Sequence, residues 1–350
     1  MNIVIFAGGV GSRLWPLSRK NAPKQFEFLK DGRSTLRMAF DRVASFGSEH
    51  IYISTNQKYI DLVKKQIPEI PEDHIFSEPT RRDLAPAVAL SLFRLKEKGL
   101  NGRVALLWSD HFMDRPDVFL AALKKADEHI KNHPRQLVFL GEKPRFANHN
   151  LGWISCGEEM EKGFRVFRAW RYKPELETCK KMFQSGDWLW NPGYFVFDLD
   201  FMLELYALHM PDMHAALLEM AKDEQKLEKA YQALESISFD RAIIERIEPE
   251  EAVVIKVDLG WSDPGTLYAL KEAMSGSGNE NLIQGEVLEH RSSDSFIYNE
   301  EEKKIVVAVG LQGMIVVNTK DALLVCHKDA VSDMTSVLDS MSEPNKEEYL

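Results

Sequence analysis

Gly8-Gly9-Val10-Gly11-Ser12-Arg13-Leu14-Trp15-Pro16-Leu17-Ser18-Arg19 follows directly on the apolar run Ile3-Val4-Ile5-Phe6 and leads to Pro23-Lys24-Gln25-Phe26. A short β-rich run ending in glycines predicts a strand whose C-terminal turn lets backbone N–H groups approach phosphate oxygens with no Cβ in the way. Gly8, Gly9, Gly11 and Ser12 are the expected contacts, and Arg13 and Lys24 bring cations to the same place. A dinucleotide fingerprint would need glycine where Leu14 stands, and no Gly-Lys-Ser/Thr of a Walker loop is present.

Outward from that loop, β-rich runs alternate with amphipathic segments of helix length. Ile3–Phe6, Ile51–Thr55, Ile75–Ser77, Val104–Trp108 and Leu137–Leu140 read as strands, and Asp83–Glu97 and Val118–His129 as crossover helices. The pattern predicts an α/β fold, a doubly wound Rossmann-like sheet with ligands at strand C-terminal ends. From Gly152 the runs Gly152–Gly157, Phe164–Lys173 and Gly193–Phe197 suggest a mixed extension of that sheet. A helical stretch over Asp200–Arg246, a strand at Ala252–Asp258 and a helix at Asp263–Met274 follow.

Ser275-Gly276-Ser277-Gly278-Asn279 reads as a linker. Beyond it, Leu282–Leu288, Ser295–Tyr298, Ile305–Val309, Met314–Asn318 and Leu323–Cys326 recur at near-regular spacing, as in a small β-roll or β-helix-like domain closed by a helix near Ala330–Met341. The expected organisation is a catalytic domain over 1–275, a β domain over 280–342 and a frayed tail over 343–350.

Composition excludes several classes. With 44% apolar residues in 350, the chain can bury a large core, and a net charge of −10 without a Lys/Arg block argues against nucleic-acid binding. No apolar run has membrane-spanning length and no signal-peptide pattern opens the chain. Cys156, Cys179 and Cys326 lack metal spacing and fit thiols of a reducing, cytoplasmic compartment.

The run Gly8–Phe26 resembles the signature of the sugar-nucleotidyltransferase superfamily in its mannose-1-phosphate guanylyltransferase form, and later motifs extend the resemblance over most of the chain. The resemblance implies a nucleotide-diphospho-sugar transferase type of mixed sheet, with Arg13 and Lys24 gripping a triphosphate. In Glu78-Pro79-Thr80-Arg81-Arg82-Asp83, Glu78 suits guanine because one carboxylate can accept its adjacent N1 and N2 hydrogens, and Arg82 is a second expected nucleotide contact. Ser109-Asp110-His111 and Asp258–Asp263 each place an acid after an apolar strand. The family's pattern makes Asp110 and Asp263 the holders of Mg2+, with Ser109 at the nucleotide and His111 in a supporting role.

On the sugar side, Arg171-Tyr172-Lys173-Pro174 corresponds to a Glu-Lys-Pro motif and Trp190-Asn191-Pro192-Gly193 to Trp-Asn-Ser-Gly. Lys173, Asn191, Gly152 and Tyr172 are the expected sugar-phosphate contacts, with tyrosine and proline departing from the pattern. The expected partners are therefore GTP and a hexose 1-phosphate, mannose 1-phosphate by default. A different sugar or base, or a non-catalytic nucleotide-sugar-binding regulator, is the alternative. A homodimer is compatible with the C-terminal β runs, although nothing in the sequence sets the number of subunits.

Overall fold

The structure, a computed structural model, describes residues 1–9, 11, 14–19, 23–30, 32–220, 224–275, 279–341 and 349. Ser12, Arg13, the centre of the expected linker and all of the expected tail but Tyr349 lie outside the described residues. Packing divides the chain into two compact units. One holds Met1–Gly8, Ala39–Ser109 and Met113–Trp261; the other holds Gly9–Met38, Asp110–Phe112 and Ser262–Leu350.

The first unit is built on ten strands: β1 (Asn2–Phe6), β2 (Ile51–Asn56), β3 (Ile75–Glu78), β4 (Arg103–Trp108), β5 (Leu137–Glu142), β6 (Gly152–Glu159), β7 (Phe164–Tyr172), β8 (Trp188–Asn191), β9 (Phe195–Asp198) and β10 (Ala252–Val257). They form one sheet in the order β8-β6-β7-β10-β5-β9-β4-β1-β2-β3. The β3-β2-β1-β4 half is parallel, and its order reverses at β1. Gly8 and Ser109 thus leave adjacent strands at the switch point where doubly wound sheets bind ligands.

Alternation along each strand builds two cores. Val4, Phe6, Val104, Leu106, Phe139 and Phe195 face the helices Leu84–Glu97 and Leu199–His209. On the other face, the helix Pro116–Asn132 packs on β4, β5, β9 and β10 through a stripe of Phe119, Leu123, Ala126 and Ile130. Each Val, Leu, Ile or Phe side chain so buried contributes ~1.5–3 kcal/mol. Among the described residues no helix is long and apolar enough to cross a membrane.

The sheet departs from the sequence reading in its middle. β9 lies antiparallel between β4 and β5, and β5 takes β10 as a parallel partner. These strands are apolar on both faces, so their sequences carry no preference for a neighbour. β8 was not among the expected strands, and the next strand begins at Phe195 rather than Gly193 because Pro192 has no N–H and Gly193 sits at φ 79°. Helix over Asp200–Arg246 is likewise divided: Leu199–His209 ends before Pro211, helix resumes over Pro211–Met220 and is described again over Glu224–Ala233. The helix expected from Asp263 starts at Leu267, after Pro264-Gly265, with Thr266 Oγ1 accepting from the Ala269 N–H at 3.2 Å. Asp263 is therefore a loop residue.

In the second unit, β11 (Leu282–Gln284), β12 (Val287–His290), β13 (Phe296–Asn299), β14 (Val306–Val309), β15 (Met314–Asn318) and β16 (Leu323–His327) form two small sheets, β11-β13-β15-β16 and β12-β14. The parallel rungs β11/β13/β15 and β12/β14 give a β-helix-like stack. Asn318 Nδ2 donates to Asn299 Oδ1 at 2.7 Å inside it. Leu14, Trp15 and Leu17 share a core with Leu267, Phe296, Ile315 and Val317. The apolar residues of the signature run thus anchor the loop.

Fully buried Lys271 gives this unit a marked charge cluster. Asp294 Oδ1 accepts from Lys271 Nζ at 2.7 Å and from the Tyr268 hydroxyl at 2.9 Å, while Lys328 Nζ donates to Oδ2 at 2.6 Å. Burial alone would raise the Asp294 pKa, but these donors hold it at about 2. Asp294→Ala would take the carboxylate away from the buried Lys271 ammonium and is expected to cost about 3–5 kcal/mol. Because the folded-state pKa is depressed, that stability is present above the ordinary carboxylate range and fades as pH falls toward 2. Urea titrations of both proteins at pH 7 should show the full difference, and titrations near pH 2.5 a smaller one.

Candidate active site

Gly11 adopts φ 67°, and a Cβ there would lie 2.9 Å from Lys24 Cγ. The glycine is needed twice, for its left-handed backbone and for the passage of the lysine stem. Ser18 Oγ accepts from the Lys24 N–H at 3.0 Å, and Gln25 Nε2 donates to the Gly9 carbonyl at 2.9 Å. Pro-Lys-Gln-Phe is thereby fastened to the glycine turn.

A two-residue antiparallel bridge gathers the acids. Phe112 N–H donates to the Ser262 carbonyl at 2.9 Å and Ser262 N–H returns to Phe112 at 3.0 Å. The neighbours of that bridge, Asp110 and Asp263, converge on Lys24: its Nζ is 2.6 Å from Asp110 Oδ2 and 3.8 Å from Asp263 Oδ1. Burial pushes the Asp110 pKa up, yet Lys24 and His111 outweigh it and hold the carboxyl at about 2. Buried His111 approaches Asp110 Oδ1 with Nε2 at 3.8 Å. Among the described residues no three His, Cys, Asp or Glu side chains gather as a metal cluster. Two carboxylates are nonetheless the donor set that magnesium takes alongside substrate phosphates.

The first unit carries the other expected contacts. Ser109 is buried, and its N–H donates to the Phe6 carbonyl at 3.1 Å. Glu78, at the end of β3 and 7% exposed, reaches toward Gly8, where a Cβ would lie 2.9 Å from Oε1. Desolvation raises its pKa to about 7, against the opposing pull of the Tyr231 hydroxyl, which donates to Oε2 at 3.0 Å, and of Arg81. Arg82 donates to the Gln232 carbonyl on the helix that bears Tyr231. Nothing in the local pattern singles out Tyr231; it sits in an ordinary amphipathic helix, and only its fully buried hydroxyl on Glu78 marks it.

Gly152, Tyr172 and Asn191 are brought onto one rung, with Asn191 paired to Gly152 and Gly152 to Tyr172. Asn191 Oδ1 accepts from Gly193 N–H at 3.0 Å, and Trp108 Nε1 donates to the Gly193 carbonyl at 3.0 Å, so the Asn-Pro-Gly turn is tied to the end of β4. Tyr172 is stacked on Trp170 at 5.5 Å, with Lys173 Nζ 4.9 Å from its ring centre. Lys173 itself holds φ 43°, a conformation that non-glycine residues adopt at some cost and that concentrates at functional sites. Fully buried Glu142 accepts from the N–H groups of Leu259 at 2.8 Å and Trp261 at 3.3 Å, fixing the loop after β10 whose chain continues to Asp263.

Known proteins share this framework. The nucleotidyl transferase family model matches residues 2–280, and the MannoseP isomerase/GMP-like beta-helix domain model matches 285–341. A mannose-1-phosphate guanylyltransferase of Salmonella typhimurium is 32% identical over 99% of this chain and 73% of its own length. One from Escherichia coli is 31% identical over 99% and 74%. A solved structure from Thermus thermophilus, described as a mannose-1-phosphate geranyltransferase, superposes with a TM-score of 0.87 at 27% identity, covering 97% of this chain and 98% of that one. With relatives above 30% identity across its whole length, and with the glycine turn, paired aspartates and β-helix-like unit in place, the chain belongs to the nucleotidyl transferase family, among the mannose-1-phosphate guanylyltransferases.

Proposed function

We propose that this protein transfers the guanylyl group of GTP to a hexose 1-phosphate, mannose 1-phosphate by default, giving a GDP-hexose and pyrophosphate. The observation that carries this reading is the ammonium of Lys24 beside both Asp110 and Asp263. A sugar-phosphate oxygen forms the new bond to the α-phosphorus while the α–β bridging bond breaks and its electron pair leaves with pyrophosphate. Since the second pKa of a phosphate monoester is about 6, the nucleophile is already ionised at neutral pH and no general base is needed.

The protein's work is to position two anions and offset their repulsion. Lys24, together with Arg13, meets the triphosphate at the turn of Gly8, Gly9, Gly11 and Ser12, with Ser109 and Arg82 as further nucleotide contacts. Lys173, Gly152, Tyr172 and Asn191 receive the sugar phosphate. Asp110 and Asp263 would hold Mg2+, whose charge neutralises phosphate oxygens. Glu78, as a carboxylate, accepts both donors on the guanine edge. Residues 1–275 make up the catalytic domain and 280–342 the small β domain, and the three free thiols fit a cytoplasmic setting.

The sugar is the less constrained half, because Tyr172 offers no carboxylate to sugar hydroxyls and one lost hydrogen bond can alter discrimination by orders of magnitude. The test is a matrix of four nucleoside triphosphates against mannose, glucose and galactose 1-phosphates, read by pyrophosphate release. GTP with mannose 1-phosphate is expected to lead, and absence of magnesium- and sugar-phosphate-dependent release from every pair would overturn the reading. In the same matrix Glu78→Gln is expected to lower kcat/KM for GTP by roughly 10–100-fold while leaving ATP little changed.

A further inference from the structure

The Glu78 carboxyl has two edges, and a side chain of the protein itself engages one of them. Oε2 accepts from the Tyr231 hydroxyl at 3.0 Å, and Tyr231 has no exposed surface. The helix bearing it, Glu224–Ala233, is tied back to the Glu78–Asp83 loop by Arg82, which donates to the Gln232 carbonyl next to Tyr231. Oε1 meanwhile points toward Gly8 at the end of β1, where a side chain would collide with it. The Tyr231 hydroxyl thus fixes the Oε2 edge of the carboxyl, and Arg82 ties the helix that bears Tyr231 to the loop after Glu78.

Orientation and charge state both matter here. An ionised carboxylate offers only acceptors, the complement of guanine's paired N1 and N2 hydrogens. A neutral carboxyl offers one donor and one acceptor, the complement of adenine's N1 and 6-amino group. The same side chain therefore selects different bases according to whether it keeps its proton. We propose that Tyr231 is a positioning residue for base selection: its hydroxyl holds Glu78 as an oriented carboxylate, so that the phenol as well as the acid sets the preference for a guanine nucleotide.

The inference rests on the reading of Glu78 as the base contact. It is supported by the balance of groups around that carboxyl. Burial drives Glu78 toward its neutral form, raising its pKa to about 7; the Tyr231 hydrogen bond and the charge of Arg81 oppose this. Burial and the adjacent carboxylate in turn keep Tyr231 protonated, well above the ordinary phenol range, with Tyr206 adding to that rise and Arg82 countering it. The phenol is thus a donor throughout the working pH range. Removing it takes away a hydrogen bond to the charged form, so the pKa of Glu78 must rise further.

The experiment compares the full-length protein with Tyr231→Phe and Glu78→Gln, using GTP and ATP with mannose 1-phosphate from pH 5.5 to 8.5. Direct GTP binding and urea midpoints are measured in parallel. Tyr231→Phe is expected to weaken GTP binding and kcat/KM roughly tenfold or more at pH 7, mainly through KM. The acid limb of its kcat/KM profile should move to higher pH, and its GTP:ATP ratio should narrow. An unchanged acid limb and an unchanged ratio, whether or not the variant is less stable, would overturn the role of Tyr231. If Glu78→Gln is selective against GTP in that case, the base reading stands without the tyrosine. If Glu78→Gln keeps the wild-type preference, the base reading fails and the inference fails with it.

Discussion

Lys24→Ala is expected to lower kcat/KM for pyrophosphate release by roughly a thousandfold, with the protein still folded. The size follows from the position of the ammonium. Removing one preorganised charge-stabilising donor costs about 10²–10³ in other active sites, and Lys24 serves two groups, lying 2.6 Å from Asp110 and 3.8 Å from Asp263. Its loss also removes the cation that most lowers the Asp110 carboxyl, so the Asp110 pKa should climb from about 2. Lys24→Arg should rescue little, because a planar guanidinium fork does not reproduce a compact ammonium placed 2.6 Å from Asp110 and 3.8 Å from Asp263. Steady-state rates and a circular dichroism melt separate lost chemistry from lost fold. Wild-type turnover in Lys24→Ala would remove the central cation from the mechanism.

The second large effect is expected at the paired acids. Asp110→Asn and Asp263→Asn should each reduce kcat/KM by roughly 10²–10⁴ and raise the magnesium concentration needed for half-maximal rate. The double variant should be little worse than the poorer single one, because residues that act as a unit are strongly non-additive. The bridge between Phe112 and Ser262 is the structural reason to expect coupling, since it brings two loops from distant parts of the chain together. Strict additivity, or unchanged magnesium dependence, would refute a shared metal. With its pKa near 2, Asp110 contributes no limb to the activity profile near neutrality. A limb near pH 7 is expected from Glu78, with activity rising as pH increases through it.

Much of the candidate site was legible before the fold. Strand, glycines, Lys24 and Asp110 each follow from local chemistry: a turn must lack side chains to admit phosphate, and an acid after an apolar strand stands at an open end of the sheet. The β-helix-like repeats were visible because each rung spends the same few apolar residues before its turn. Harder to read were features that depend on distant partners. Tyr231 acquires meaning only because Glu78 lies beneath its hydroxyl. Glu142 ends an apolar strand, yet it turns inward to two backbone N–H groups. Similarly, Leu14, Trp15 and Leu17 look like loop residues until Phe296, Ile315 and Val317 pack on them.

Periodicity, backbone freedom and charge are local properties, and from them come the alternating α/β order, the phosphate-admitting turn and the chemical kinds of residue at the site. Folding in three dimensions was needed to place β9 between β4 and β5, to bring Asp110 and Asp263 together at Lys24, and to set a buried tyrosine over Glu78. Strand pairing, convergence of acids and desolvation arise between residues far apart in the chain, where one-dimensional patterns carry no distance.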